Sequence, residues 1–192
     1  MGACRRWNRS RERRVAPRAA LATVRAAQWA AGSRMTIDIS HFRKLLGQLA
    51  TGVTIVTLRD DAGVDHGMTV SAFTSLSLSP PLVLACIDRD ATLAPALATA
   101  THLGVSVLAT TQQQLSQRFA ESRDDRFSGV PTRRGDSGVA LIEGALAQLE
   151  TRIVAQHPGG DHTIVVCEVI GGTVEPGDPL LYHRAAYARL SV

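Results

Sequence analysis

A chain of 192 residues with 45% hydrophobic and 20% charged residues has the make-up of one globular domain, long enough to bury a core. No apolar run approaches the ~20 residues that a membrane-crossing helix needs. The formal net charge of +4 is lopsided: nine arginines (5, 6, 9, 11, 13, 14, 18, 25 and 34) against Glu12 make residues 1–34 basic, while residues 35–192 carry more acid than base, so nucleic-acid binding is not expected of the domain.

The basic leader lacks the apolar core of about 7–15 residues that a secretory signal carries. It reads as an Arg-rich transit peptide or as an extension ahead of a true start at Met35. Either way residues 1–34 are expected to be disordered or non-native, and the fold to occupy 35–192. Cys4, Cys86 and Cys167 are too few and too scattered for a disulfide framework, which points to a reducing cytoplasm.

In chain order, Asp38 or Ser40 can cap a helix whose apolar residues Phe42, Leu45, Leu46 and Leu49 recur at helical spacing. Thr51-Gly52 ends it. Val53 to Leu58 is β-branched and predicts a strand. Asp60 to Gly63 is a turn, and Val64 to Phe73 pairs back. From Gly67 to the double proline Pro80-Pro81, hydroxyls at Thr69, Ser71, Ser75, Ser77 and Ser79 alternate with other residues. Period two predicts one strand with a buried face and a hydroxyl face. Two readings of that hydroxyl face stand: a shelf on which a flat ligand lies against the backbone, or a sheet margin facing water.

Pro80-Pro81 then breaks the ladder. Leu82 to Ile87 is a continuous apolar run and predicts a strand buried on both faces. It leads through Asp88 to Thr92 into an Ala-rich helix over Leu93 to Thr101, with Pro95 in its first turn. Further elements are a strand at 103–108, a helix at 112–121, an exposed loop at 122–138, a strand at 145–155, a turn at 157–161 and a strand at 162–174. Short closing strands follow at 180–182 and 187–190. Six or seven strands without a βαβ rhythm predict a mainly β protein. A closed antiparallel barrel with a few peripheral helices fits best, and a two-sheet sandwich is the alternative.

The six histidines form neither an H-x-H nor an H-E-x-x-H pattern, so a metal site is not expected. No G-x-S-x-G, Walker loop or G-x-G-x-x-G is present. Cys86 reads as packing rather than as a nucleophile. Two places offer chemistry. At Cys86 to Thr92 a strand runs toward a helix start, where backbone N–H groups suit a phosphate; an ordinary helix cap is the plainer account. At Gly159 to Thr163 a histidine follows a Gly-Gly turn beside Asp161, which can fix its tautomer; a merely polar turn is the plainer account.

Six segments occur here in order: Leu49 to Thr57, GMTVSAFTSLSLSPPLVLACIDRDAT from Gly67, Gln117 to Ala120, Asp125 to Gly129, GGDHTIVVCEV from Gly159, and Leu180 to Arg184. Together they resemble the flavin reductase family, the reductase components of two-component flavin-dependent monooxygenases, over about residues 38–190. The resemblance implies an FMN-binding split barrel, a homodimer, and hydride transfer from NADH or NADPH to FMN or FAD. The reduced flavin then diffuses to a separate oxygenase. It places the flavin on Thr69, Val70, Ser71, Ala72, Phe73 and Ser75, its ribityl and phosphate on Cys86, Asp88, Asp90, Ala91 and Thr92, and its far end near Phe119 and the Arg126-Phe127 loop. It makes His162 the catalytic nicotinamide contact, with His183 and Arg184 bordering the same pocket.

Many relatives read T-A-N-S where this chain has Thr69-Val70-Ser71-Ala72, so an amide gives way to a hydroxyl and the choice between FMN and FAD stays open. Hydride transfer is the cofactor's own chemistry, and the protein's work is to bind, orient and exclude water, which accounts for the lack of an acid–base pair. Two other activities share this barrel: flavin binding without reduction, and direct oxidation of a small substrate as in pyridoxamine-phosphate oxidases.

Overall fold

The computed structural model describes residues 37–190; the basic segment 1–34, Met35 and Cys4 lie outside the described residues. Asp38 caps α1 (Ile39–Leu46) by accepting from the His41 N–H at 3.0 Å. Ser40, the other candidate cap, donates to the Asp38 carboxylate. After α1 come β1 (Thr51–Gly52), β2 (Thr54–Arg59), β3 (Asp65–Val70), β4 (Phe73–Leu78) and β5 (Pro81–Asp88). Then follow α2 (Ala94–Leu97), β6 (His102–Val107), a 3-10 turn at Thr110–Gln112 that runs into α3 (Gln113–Ala120), and β7 (Thr132–Arg134). The chain ends with β8 (Ala140–Ile142), β9 (Ala147–Gly159), β10 (His162–Val174), β11 (Leu181–His183) and β12 (Ala186–Ala188).

Seven antiparallel strands form the main sheet in the order β3-β2-β6-β9-β10-β5-β4. Its two margins, β3 and β4, are neighbours in sequence. The sheet curls until β3 lies beside β5, and the Cys86 N–H donates to the Ala72 carbonyl at 2.9 Å across the seam. This is the split β-barrel that the resemblance implies, not a two-sheet sandwich. Val56, Leu58, Val83, Ala85, Ile87, Val105 and Val165 fill its interior. A second core lies between the outside of β2 and α3, where Val53, Ile55, Leu108, Phe119 and Leu180 meet. β2 is therefore buried on both faces. Its hydroxyls are satisfied inside: Thr54 donates to the Val70 carbonyl at 2.7 Å and Thr57 to that of Ala140.

Several expectations change. The hydroxyl-rich stretch is two strands, not one, because the chain bends at Ser71-Ala72 and crosses from one sheet margin to the other. β5 buries only one face: Val83, Ala85 and Ile87 are inside, while Leu82, Leu84 and Cys86 are half-buried. Pro81 begins β5 rather than ending the ladder, opposite Leu78. Thr51-Gly52 is a short strand paired with Tyr182 and Leu181. α2 keeps only four residues of the Ala-rich run, too few to stand without the buried Leu93 and Leu97 beneath it. The supposed loop 122–138 contains β7, paired with β8. β9 runs on through His157 and Pro158 to Gly159; β6 reaches only to Arg152 on that side, leaving a free margin where proline is tolerated. The turn shrinks to Gly160-Asp161, with Gly160 at φ +75°.

Gly104 on β6 sits in tight packing. A Cβ there would come 2.5 Å from Thr57 Oγ1 and 2.9 Å from the Ala140 carbonyl oxygen. Gly104→Ala is expected to cost about 1–3 kcal/mol through overpacking, read as a drop of about 2–4 °C in Tm per kcal/mol for a domain of this size and as a lower urea midpoint.

Candidate functional site

The barrel seam leaves a groove built from three adjoining depressions. The middle one, about 300 Å³, lies between β3 (Met68, Thr69), the end of β5 (Asp88), the following turn (Asp90, Ala91, Thr92), α3 (Phe119, Ala120) and Ser122 with Arg126. One neighbour, about 160 Å³, shares Thr69 and Ala120 with it and adds Val53, Ser71, Ser116, Tyr182 and Tyr187. The other, about 220 Å³, shares Thr92 and Arg126 and reaches Val64, His66 and Phe127.

Local chemistry fixes each wall. Thr69 donates its hydroxyl to the Ser116 carbonyl at 2.6 Å, tying β3 to α3. Ser116 and the Tyr187 hydroxyl lie 2.8 Å apart, and Tyr187 packs edge-on to Tyr182, ring centres 5.4 Å apart. Phe119 is fully buried and meets Phe127 at 90° with centres 5.0 Å apart. Gly67 makes room for that pair, because a Cβ there would sit 2.9 Å from Phe119 and 3.0 Å from Phe127. Arg126 is held by carbonyls and a hydroxyl. Its Nη1 donates to Thr92 Oγ1 at 2.6 Å and to the Gly67 carbonyl at 3.2 Å, and its Nε donates to the Glu121 carbonyl at 2.8 Å. Arg123, Arg134 and Arg152 pair with carboxylates; among the described residues Arg126 has no such partner.

The residues named from the sequence separate into groups. Thr69, Ser71, Asp88, Asp90, Ala91, Thr92 and Phe119 gather in the groove. Val70 points into the core. Ala72 and Cys86 supply the backbone bond of the seam. Phe73 packs against the barrel interior, and Ser75 stands exposed on β4 opposite Val83. Asp88 turns its carboxylate on its own loop, accepting from the Asp90 N–H at 2.9 Å. With only four residues in α2, no helix dipole of consequence serves a phosphate here; Arg126 is the cation of the site.

His162 stands opposite Asp88 in the β5–β10 ladder, outside the three depressions. Its Nδ1 lies 2.7 Å from the Asp161 carboxylate. A carboxylate only accepts, so Nδ1 carries the proton and Nε2 is left for a substrate group. That bond holds the Asp161 carboxyl below the usual aspartate range. His183 pairs with Ala186 in the C-terminal hairpin. Arg184, with φ +51°, donates to the Gln48 side chain at 2.7 and 3.0 Å. It lines a separate depression with Arg43 and Lys44 on α1, so one chain does not bring His162 and Arg184 into a common cavity.

Sequence reasoning did not single out Met68, Ser116, Ala120, Ser122, Tyr182 or Tyr187 as groove residues. Ser116 and Ala120 are four apart on α3, the spacing of one helix face. That face is polar and small, and only the partner strand β3 shows it to be a wall.

The residues present fit a flavin: a long groove with a floor of small neutral groups, aromatic walls, and one guanidinium without a counter-charge. Comparisons with known proteins agree. Residues 46–191 match the flavin reductase like domain. The chain is similar to the FMN reductase (NADH) SmoA of Agrobacterium fabrum, 43% identical over 151 residues that cover 78% of this chain and 85% of that protein. It is similar also to the reductase component of the Rhodococcus opacus 4-nitrophenol 4-monooxygenase/4-nitrocatechol 2-monooxygenase, 38% identical over 79% of this chain and 80% of that one. Among solved structures, the Streptomyces globisporus NADH:FAD oxidoreductase SgcE6, in complex with NAD and FAD fragments, superposes with a TM-score of 0.76 at 39% identity, covering 80% of this chain and 93% of that chain.

Gly67→Ala is expected to push the Phe119–Phe127 pair out of place and with it Arg126, weakening flavin binding about tenfold or more. Fluorescence-quenching titration with FMN and FAD checks this. Because the Asp161 carboxyl is depressed, its hold on His162 is present above the ordinary aspartate pKa of about 3.9 and is lost only as pH falls through the lower folded value; the carboxyl resonance of Asp161 is expected to titrate below that of an unpaired aspartate. A fold of this architecture, this groove and these matches together make the chain a member of the flavin reductase family.

Proposed function

We propose that the protein is an NADH-dependent flavin reductase that supplies reduced flavin to a separate monooxygenase. The observation that carries this reading is the groove itself, which runs from Tyr182 and Tyr187 past Thr69 and Ser71 to Thr92 and Arg126. Ser71, Thr69 and Ala120 would seat the ring system, and Thr92 with Arg126 would hold the phosphate. Flavin, when bound, supplies a two-electron acceptor for the hydride of NADH.

The chain's own part is positional. Thr69 is locked to α3 by its bond to Ser116, so the floor is rigid before any ligand arrives. The Thr92–Arg126 bond joins the turn after β5 to the 121–127 loop, fixing the phosphate end. Asp161 fixes the tautomer of His162, which presents a constant Nε2 to the nicotinamide side. Free cysteines at Cys86 and Cys167 support a reducing, cytoplasmic setting, and no helix among the described residues is long and apolar enough to cross a membrane.

A homodimer is part of the same reading. Phe42, Leu45 and Leu46 on α1 are each 50% exposed and Leu49 63%, an apolar stripe that a second copy would cover. The separation of His162 from Arg184 in one chain also suits a site completed by two copies.

NADH oxidation followed with and without added FMN or FAD tests the activity, and the absence of any flavin-dependent oxidation would refute it. His162→Ala is expected to lower turnover about 10- to 100-fold by loosening the nicotinamide, with flavin affinity unchanged; loss of flavin binding instead would move His162 from the nicotinamide to the flavin.

A further inference from the structure

We infer that the depression between α1 and the tip of the C-terminal hairpin is a phosphate-binding site of its own, apart from the flavin groove. It measures about 330 Å³ and is lined by Arg43, Lys44, Gly47, Gln48, Arg184 and Ala185. Three of these side chains are cations and none is an acid. Among the described residues none of the three pairs with a carboxylate.

The end of α1 does not need these charges. Cations in a last helical turn commonly serve the free carbonyls there. Here neutral donors already take those carbonyls. The Gly47 N–H donates to Arg43 at 2.8 Å, the Gln48 N–H to Leu45 and the Leu49 N–H to Leu46 at 3.1 Å, and the Arg184 N–H to Gly47 at 2.9 Å. Gln48 Nε2 donates to the Lys44 carbonyl at 3.3 Å. By helical spacing Arg43, Lys44 and Gly47 lie on the side of α1 opposite Phe42, Leu45, Leu46 and Leu49. A second copy seated on that apolar stripe leaves the depression open.

Arg184 is placed there at a cost. His183 pairs with Ala186, so Arg184 and Ala185 are the whole of a two-residue hairpin loop, and both have positive φ, +51° and +60°. Such a loop is the preserve of Asn-Gly, Asp-Gly and Gly-Gly, because a Cβ strains the left-handed backbone. What the strained loop gains is a guanidinium beside the last turn of α1. Gln48 Oε1 accepts from its Nε at 3.0 Å and from its Nη2 at 2.7 Å. Three of the five N–H groups and the full charge are left for an anion.

Three like charges around one depression repel one another, and a dianion removes that repulsion. A phosphate group supplies the charge, and its adjacent oxygens suit both a guanidinium fork and an ammonium. The space is roomier than a bare phosphate. Gly47, Ala185 and the methylene stems of Arg43 and Lys44 give it an apolar wall. Inorganic phosphate and a phosphate ester share this chemistry, and the test separates them.

Calorimetric titrations of the full chain with AMP, inorganic phosphate and adenosine are run with and without saturating FMN, which fills the groove's own phosphate end. The inference expects a phosphate-bearing probe to bind equally well in both conditions and adenosine not to bind. Tighter binding of AMP assigns the site to an ester; AMP no tighter than phosphate assigns it to the free ion. Arg43→Gln and Lys44→Gln are each expected to weaken the tighter probe about tenfold, with the Michaelis constant for NADH unchanged. Arg184→Asn suits the loop better, and is expected to raise Tm by about 2–4 °C while weakening the same probe. The inference fails if neither AMP nor phosphate binds, or if adenosine binds as tightly as AMP. It fails if the three variants bind the probe undiminished, which would leave Arg184 a merely structural part of the loop. Binding that FMN abolishes would overturn it by placing the probe in the groove. A Michaelis constant for NADH raised in Arg43→Gln and Lys44→Gln would overturn it by giving the depression to the nicotinamide dinucleotide.

Discussion

One backbone hydrogen bond, from the Cys86 N–H to the Ala72 carbonyl, decides where everything else can be. A seven-stranded sheet has two margins, and unpaired margins are exposed to pairing with other chains. Here the two margins are β3 and β4, joined by the two-residue bend Ser71-Ala72. Bringing Ala72 against β5 curls the sheet shut and leaves a narrow opening beside the seam. Thr69 stands just before that bend and Ser71 within it, and Asp88 ends the strand it docks on. The groove is a by-product of closure, and its floor is backbone with short side chains.

The second layer of the site is held from outside the barrel. α3 packs Phe119 into the space that Gly67 leaves on β3, and Phe127 follows it. That pair delivers Arg126 to Thr92. Arg118 steadies the same loop by donating to the Ser128 carbonyl at 2.8 Å. The cation of the site is thus placed by hydrophobic packing and by carbonyl acceptors. A carboxylate in their place would have steadied the side chain equally well but spent its charge.

Much of this was legible in the sequence, for definable reasons. β10 matched its expected bounds because thirteen residues of β-branched and apolar pattern follow a Gly-containing turn. α1 was legible because Asp38 is a strong cap followed by an apolar helical repeat. The family motifs pointed to the segment around Thr69 and Ser71 and to the Asp88 to Thr92 turn, which the structure gathers in one groove. The bend at Ser71-Ala72 was hidden because alternation of small residues continues across it unbroken. β7 and β8 were hidden because three residues cannot show a period, and Arg133-Arg134 look like loop. The separation of Arg184 from His162 is a property of the folded chain that no spacing encodes. Val70, Phe73 and Ser75 show the limit of carrying over a motif: the side chains of one segment divide between the groove, the core and open solvent.

The exposed character of the groove has a kinetic meaning. Ser71, Asp90, Thr92, Ala120 and Ser122 all remain exposed, so a ligand there is roofed by little and gripped by one arginine. For association at about 10⁶ M⁻¹s⁻¹, a micromolar grip corresponds to roughly one departure per second. That is slower than the roughly 10 s⁻¹ of a median enzyme's turnover, so the shuttle's pace would be set at the exit. A deeper, better-lidded cavity would hold its flavin longer and deliver fewer electrons per minute.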